Sequence, residues 1–169
     1  MCGRHLNESV FDSLMLVRSF VRETGYRWYA DVGVAMQPRL RLNADHVTGT
    51  MMVGDPGQER YESISPIYYR GADIVLIVYS PFVEASWLRA KKWLEDMPTM
   101  VPDARVVLVS TKQDLPSTPE SQAMDVEAEG YIVALGYDLI KTSSVSGAGV
   151  EQLLRRVWEH LDAIAEANS

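Results

Sequence analysis

The apolar positions of this chain follow two kinds of pattern. Unbroken runs of four apolar residues at 75–78 and 106–109 are typical of strands that are covered on both faces of a sheet. Residues 149–165 instead show the 3.6-residue spacing of an amphipathic helix. Its apolar stripe is Val150, Leu153, Leu154, Val157, Leu161 and Ile164. Buried strands alternating with such helices predict an α/β protein.

Three further elements fit this alternation. Helical spacing predicts a helix over 84–97, which Pro98 should end because proline has no backbone N–H. A second helix is predicted over 122–135, weakened by Gly130. A final strand is predicted over 137–142.

The first third of the chain predicts a sheet edge and a helix. Residues 34–42 and 47–53 read as an antiparallel β-hairpin at one edge of the sheet. A helix is predicted over 12–23, and 1–6 makes a short or irregular strand. No linker or repeat divides the 169 residues, so we expect one domain over 1–169.

The net charge and the cysteine count indicate which partners and which cellular compartment to expect. The formal net charge of -7 disfavours binding to nucleic acid or to anionic lipid. Cys2 is the single cysteine, so no intramolecular disulfide can form and a reducing compartment is indicated. We expect an intracellular protein, cytoplasmic or associated with the cytoskeleton or a cilium. No apolar run spans a bilayer and no prenylation cysteine closes the sequence, so no intrinsic membrane anchor is expected.

The stretch GQERYESISPIYYRGADIVLIVY, which begins at Gly57, resembles the second switch and following strand of Ras-superfamily small GTPases. Residues 68–72 are similar to the Rab branch, and 86–95 to the third helix of endosomal Rabs. The resemblance implies a Ras-like three-layer fold. Its mixed six-stranded sheet would have one antiparallel edge strand and a central first strand, with about five helices around it. Members of this family bind GTP or GDP with magnesium.

The phosphate-binding loop of that family does not survive in this sequence. The resemblance aligns Asn7 and Asp12 with two glycines, Ser13 with the phosphate-binding lysine, and Leu14 with the hydroxyl that ligates magnesium. Losing two or three charge-assisted contacts of about 1.5–3 kcal/mol each lowers affinity by orders of magnitude. The residues from Ser9 to Ser13 are instead interpreted as the N-cap region of the first helix.

The two switch positions that sense the γ-phosphate and magnesium are also changed. Asp31 stands where the family has a threonine, and it reads either as a metal ligand or as a solvated strand-start residue. Gly54 stands where the magnesium-linked aspartate belongs. Asp55 follows one position late, where Pro56 restricts it. Gln58 matches the glutamine that orients the attacking water, yet without an activated phosphate it has no reaction to assist.

The guanine-recognition motifs are better preserved. Residues 111–114, TKQD, resemble the guanine-specificity motif, and an aspartate suits it because a carboxylate accepts two parallel N–H bonds. The family's second guanine-recognition motif, Ser-Ala-Lys, aligns with residues 143–145, so Val145 replaces its lysine. If guanine binds, the resemblance implies that it is held by Thr111, Lys112, Asp114, Ser143 and Ser144.

These substitutions favour a Rab-like pseudo-GTPase that acts as a protein-binding or structural subunit, with no metal, no cofactor and no assigned catalytic residue. Its partner surface would be the switch face, formed by Gly57, Gln58, Tyr61, Ile67 and Tyr68. A guanine-nucleotide switch with weak or no hydrolysis is the alternative, and an active GTPase is the third hypothesis.

Overall fold

A computed structural model of the chain describes residues 39–44, 47–54 and 72–167. In chain order its elements are β1 (Arg39–Ala44), β2 (Val47–Gly54), β3 (Ile74–Tyr79), α1 (Glu84–Met100), β4 (Arg105–Ser110), α2 (Pro119–Leu135), β5 (Asp138–Lys141) and α3 (Val150–Ala167). The predicted helix over 12–23 lies outside the described residues, so the prediction of about five helices is not confirmed.

The described strands form one mixed sheet in the order β1-β2-β3-β4-β5. β1 runs antiparallel to β2, and every other neighbouring pair is parallel. The predicted antiparallel edge is therefore confirmed. Its first strand continues to Ala44, two residues beyond the predicted end, because Ala44 pairs with Val47 across a very short connection.

The five strands are paired without a gap. Residues 51–54 of β2 lie directly beside 74–77 of β3, and β3 pairs in turn with β4. Hydrogen-bonded neighbours lie only about 4.8 Å apart, so no further strand fits between them. The predicted central first strand, over 1–6, lies outside the described residues, so the prediction of six strands is not confirmed.

β3 is the centre of the core, and all six of its residues are buried. Alternate side chains point to opposite faces of the sheet, so each face receives three of them. Ile74, Leu76 and Val78 belong to the cluster that contains the apolar face of α3. The other three belong to a second cluster, which α1 and α2 cover. The described elements thus form the three-layer arrangement that the family resemblance implies.

α3 carries the predicted stripe. Five of its six apolar positions are buried and Ile164 is half-buried. Among the helices that the structure describes, none has both the length and the apolar character needed to span a bilayer.

The boundaries of two helices differ from prediction. α1 does not end before Pro98 but continues to Met100, because the Val101 N–H still bonds to the Met97 carbonyl and closes the last turn. α2 begins at Pro119 and not at 122. Thr118 caps it by accepting the Ser121 N–H at 3.1 Å, and the Ser121 hydroxyl accepts the Thr118 N–H at 2.9 Å.

Candidate functional site

Two loops meet where β4 and β5 end. Parallel neighbours finish at the same edge of a sheet, which places the loop after Ser110 beside the loop after Lys141. The Thr142 N–H donates to the Ser110 carbonyl at 2.7 Å, and the Gln113 N–H donates to the Thr142 carbonyl at 3.1 Å. These bonds hold the TKQD segment against the segment that contains Ser143.

Thr111 anchors the first loop to the central strand. Its side chain is buried, and both its N–H and its hydroxyl donate to the Tyr79 carbonyl, at 2.9 and 3.0 Å. Lys112 then adopts the left-handed conformation, with φ of 61°, which is uncommon for a residue other than glycine. The Leu115 N–H donates to the Lys112 carbonyl at 3.0 Å and closes the turn around Asp114.

Asp114 and Ser143 contact each other through their side chains. The buried Ser143 hydroxyl donates to Oδ1 of Asp114 and accepts the N–H groups of Val145 and Ser146, at 3.2 and 3.1 Å. Asp114 itself is exposed. The serine thus holds one oxygen of an exposed carboxylate, and a carboxylate can accept two parallel N–H groups.

Of the five predicted guanine-recognition residues, the structure joins the side chains of Asp114 and Ser143, while Thr111 and Lys112 lie in the same loop as Asp114. Ser144 follows Ser143 as a half-buried residue of the other loop. A carboxylate can accept the N–H donors of a guanine base, which is the role that the family resemblance implies for Asp114. Val145, in the place of a lysine, is 83% exposed.

The sequence did not predict a group of connected polar side chains at the ends of β3, β4 and β5. We call this group the polar hub, and it consists of Tyr79, Ser110, Asp125 and Lys141. Oδ1 of Asp125, on α2, accepts the Tyr79 hydroxyl at 2.9 Å and the Ser110 hydroxyl at 3.1 Å. Oδ2 of Asp125 lies 3.3 Å from Nζ of Lys141. One carboxylate thereby ties the last residues of three parallel strands to one helix. Burial, above all, raises the pKa of Tyr79 far above its ordinary value, so its hydroxyl stays a donor.

The hub reaches the TKQD loop through a side chain. Nε2 of Gln113 donates to the Ser110 hydroxyl at 2.9 Å. On the other side Lys141 also pairs with Glu129 at 2.8 Å, and this hydrogen bond is the main reason that the pKa of Lys141 is raised. In the sequence, the one signal of this hub was that each of the strands β3, β4 and β5 ends in a polar residue.

Most of the predicted phosphate and switch positions lie outside the part of the chain that the structure describes. Of these positions only Gly54 is described, as the last residue of β2 opposite Ile77 of β3. The others lie outside the described residues: Asn7, Asp12, Ser13, Leu14, Asp31, Gly57, Gln58, Tyr61, Ile67 and Tyr68. Across the described ranges, no group of three or more His, Cys, Asp or Glu residues could hold a metal ion.

The fold defines a class, the three-layer α/β proteins in which loops meet at the ends of neighbouring parallel strands. The family model described as "Ras family" matches residues 15–163. The chain belongs to the Ras family, and within it is Rab-like.

Its relatives include two Ras-related proteins and a GTP-binding protein. It is 32% identical to Ras-related protein RABF2b of Arabidopsis thaliana over 64% of this chain and 54% of the relative. It is 35% identical to Ras-related protein Rab-21 of Dictyostelium discoideum over 57% of this chain and 45% of the relative. GTP-binding protein ypt5 of Schizosaccharomyces pombe is 28% identical over 92% of this chain and 75% of the relative. The matched stretch thus spans about half the length of the first two.

Proposed function

We propose that this chain is a Rab-like pseudo-GTPase, a protein-binding or structural subunit that presents its switch face in one fixed state. The observation that carries the proposal is the gapless pairing of the sheet, in which 51–54 lies directly beside 74–77. The family's phosphate loop follows a central first strand. A sheet with no interior position for that strand offers no support for such a loop beside Asp114.

The substitutions support the same function from the chemistry. Phosphate binding needs backbone N–H groups exposed by glycines, a lysine and a metal-ligating hydroxyl, for which this chain offers Asp12, Ser13 and Leu14. Gly54 supplies no carboxylate for a magnesium-bound water. The match to the family model begins at residue 15, immediately after these loop positions.

The switch face supports a role in protein binding. Tyr61, Ile67 and Tyr68 keep the aromatic and aliphatic character that contributes most to protein interfaces. We therefore place the partner contact at Gly57, Gln58 and these three residues, inside the cell, with neither nucleotide nor magnesium as a permanent cofactor.

Nucleotide content is the direct test. The purified protein is denatured and the supernatant chromatographed for GDP and GTP, and the native protein is then titrated with a fluorescent GDP analogue with and without magnesium. A Rab relative purified in parallel serves as positive control. We expect no released nucleotide and no binding up to millimolar analogue. Tight, magnesium-dependent binding would falsify the pseudo-GTPase assignment.

The second candidate function is a guanine-nucleotide switch with weak or no hydrolysis. One specific observation favours it: the Ser143 hydroxyl already orients the Asp114 carboxylate as a guanine base requires. This candidate predicts binding that Asp114→Asn abolishes, because the neutral amide replaces one acceptor with a donor. An absence of binding to the unsubstituted protein at millimolar nucleotide excludes it.

A further inference from the structure

Asp114 and two exposed apolar residues belong to the two adjoining loops that follow β4 and β5. Leu115, the next residue, is 44% exposed, and Val145 is 83% exposed. Val145 belongs to the same site because its N–H and the Asp114 carboxylate share the hydroxyl of Ser143. We call Asp114, Leu115 and Val145 the Asp114 surface. It combines one oriented carboxylate with two apolar side chains that are open to solvent.

The Asp114 carboxylate suits a planar group that donates hydrogen bonds. Within the described part of the chain, the Ser143 hydroxyl is the side-chain donor to Asp114, and it engages Oδ1. Asp114 is exposed, and this hydrogen bond leaves Oδ2 and one lone pair of Oδ1 able to accept donors from outside. A guanidinium group presents parallel N–H donors in a fixed plane that matches a carboxylate, whereas an ammonium is a single point charge.

The charge of the surface also favours a cation. The family resemblance places a lysine at the position of Val145, and an ammonium there would repel a second positive group. Valine removes that charge and adds apolar surface. The chain as a whole carries a formal net charge of -7, which attracts basic partners over the range of the Debye length.

We propose that the Asp114 surface binds an arginine side chain of a protein partner, with the guanidinium paired in bidentate fashion to Asp114. Residues beside that arginine, if apolar, pack on Leu115 and Val145. The proposal rests on the proposed function, because a bound guanine nucleotide would occupy the same carboxylate. It adds to the switch face a second protein contact, on the loops that otherwise recognise a base.

Short peptides test the contact directly. Acetyl-Leu-Arg-Leu-amide is titrated at low ionic strength into ¹⁵N-labelled full chain, following the N–H signals of Val145 and Ser146. Peptides with lysine or with citrulline, a neutral isostere, replace the arginine in parallel titrations. Because the pair is exposed, we expect a Kd on the order of millimolar for arginine. Citrulline should bind about tenfold more weakly, and lysine several-fold more weakly.

Protein variants localise the effect. Asp114→Asn keeps an oxygen for the Ser143 hydroxyl but loses the charge, and Val145→Lys returns a cation at an exposed position. Both should weaken binding about tenfold. Asp103→Asn removes an exposed carboxylate elsewhere and should leave the Kd unchanged.

Three results of these titrations would overturn the inference. Equal affinity for arginine and lysine, unchanged binding by Asp114→Asn, or no shift of Val145 and Ser146 contradicts a bidentate arginine site. The nucleotide titration separates the two proposals: absent nucleotide binding with absent arginine binding leaves the pseudo-GTPase assignment standing and rejects only the arginine site. Micromolar nucleotide binding rejects both.

Discussion

Gly149 is where a single methyl group should be most damaging. Its φ is +72°, and a Cβ built there would lie 1.9 Å from the Lys141 carbonyl oxygen and 3.0 Å from the Lys141 carbonyl carbon. The obstruction is backbone, so no side chain can rotate away. For Gly149→Ala we add about 1–2 kcal/mol for the left-handed conformation to about 1–3 kcal/mol for the forced shift of packed atoms. The free energy of unfolding should fall by about 2–5 kcal/mol.

The contact has a functional consequence because Gly149 follows the loop that holds Ser143. The Ser143 N–H bonds to the Ala148 carbonyl at 2.9 Å, so a displaced Gly149 should also loosen the hydroxyl that orients Asp114. Urea unfolding measures the stability. For a chain of this length the melting temperature should fall by roughly 4–20 °C.

Two other glycines provide matched controls. Gly136 also has a positive φ, +69°, but a Cβ there meets nothing within 4 Å, so Gly136→Ala should lose only the conformational part, about 1–2 kcal/mol. Gly130 is helical and open, and Gly130→Ala should stabilise by about 1 kcal/mol. Equal losses for Gly149→Ala and Gly136→Ala would refute the close approach of Gly149 to Lys141.

Two predictions concern the polar contacts. Tyr79→Phe removes a buried donor to Asp125 and should lower the free energy of unfolding by about 1–3 kcal/mol in urea titrations; an unchanged value would contradict the hub. The pKa of Asp138 lies below its ordinary value of 3.8, chiefly because of hydrogen bonds from Arg156. A folded pKa below the unfolded one means stability that is present above the ordinary pKa and lost as pH falls through the lowered value. Between pH 5 and pH 2 the unsubstituted protein should therefore lose more stability than Asp138→Asn, and parallel curves for the two proteins would contradict the pairing.

The sequence predicted whether each described element is a helix or a strand better than it predicted the residues at which the element begins and ends. Apolar runs and helical spacing are local properties, which is why β3, β4 and α3 were recognised within one or two residues. The end of α1 was wrong because one proline in a last turn removes a single hydrogen bond while burial of the helix face persists. The start of α2 was wrong because the reciprocal Thr118–Ser121 cap was not read as a start signal.

For the candidate site, the residue types were predictable and their connections were not. A TKQD segment after a buried strand indicates a guanine-type loop, and Ser143 follows the next strand in the same way. The role of Asp125 could not be deduced, since it lies in the middle of α2 and acts on Tyr79, 46 residues away in sequence. Only the packing of that helix across three strand ends makes it a shared acceptor.

The sequence by itself determined the α/β class and the Rab-like character, because the periodicity and chemistry of short segments are enough to indicate both. The tertiary structure decided which strands are neighbours, and with that the two facts on which the proposals depend. It paired β2 directly with β3, and it set the Ser143 hydroxyl against the carboxylate of the exposed Asp114. Both are contacts between segments distant in sequence, which depend on how the sheet assembles as a whole and not on any one stretch of it.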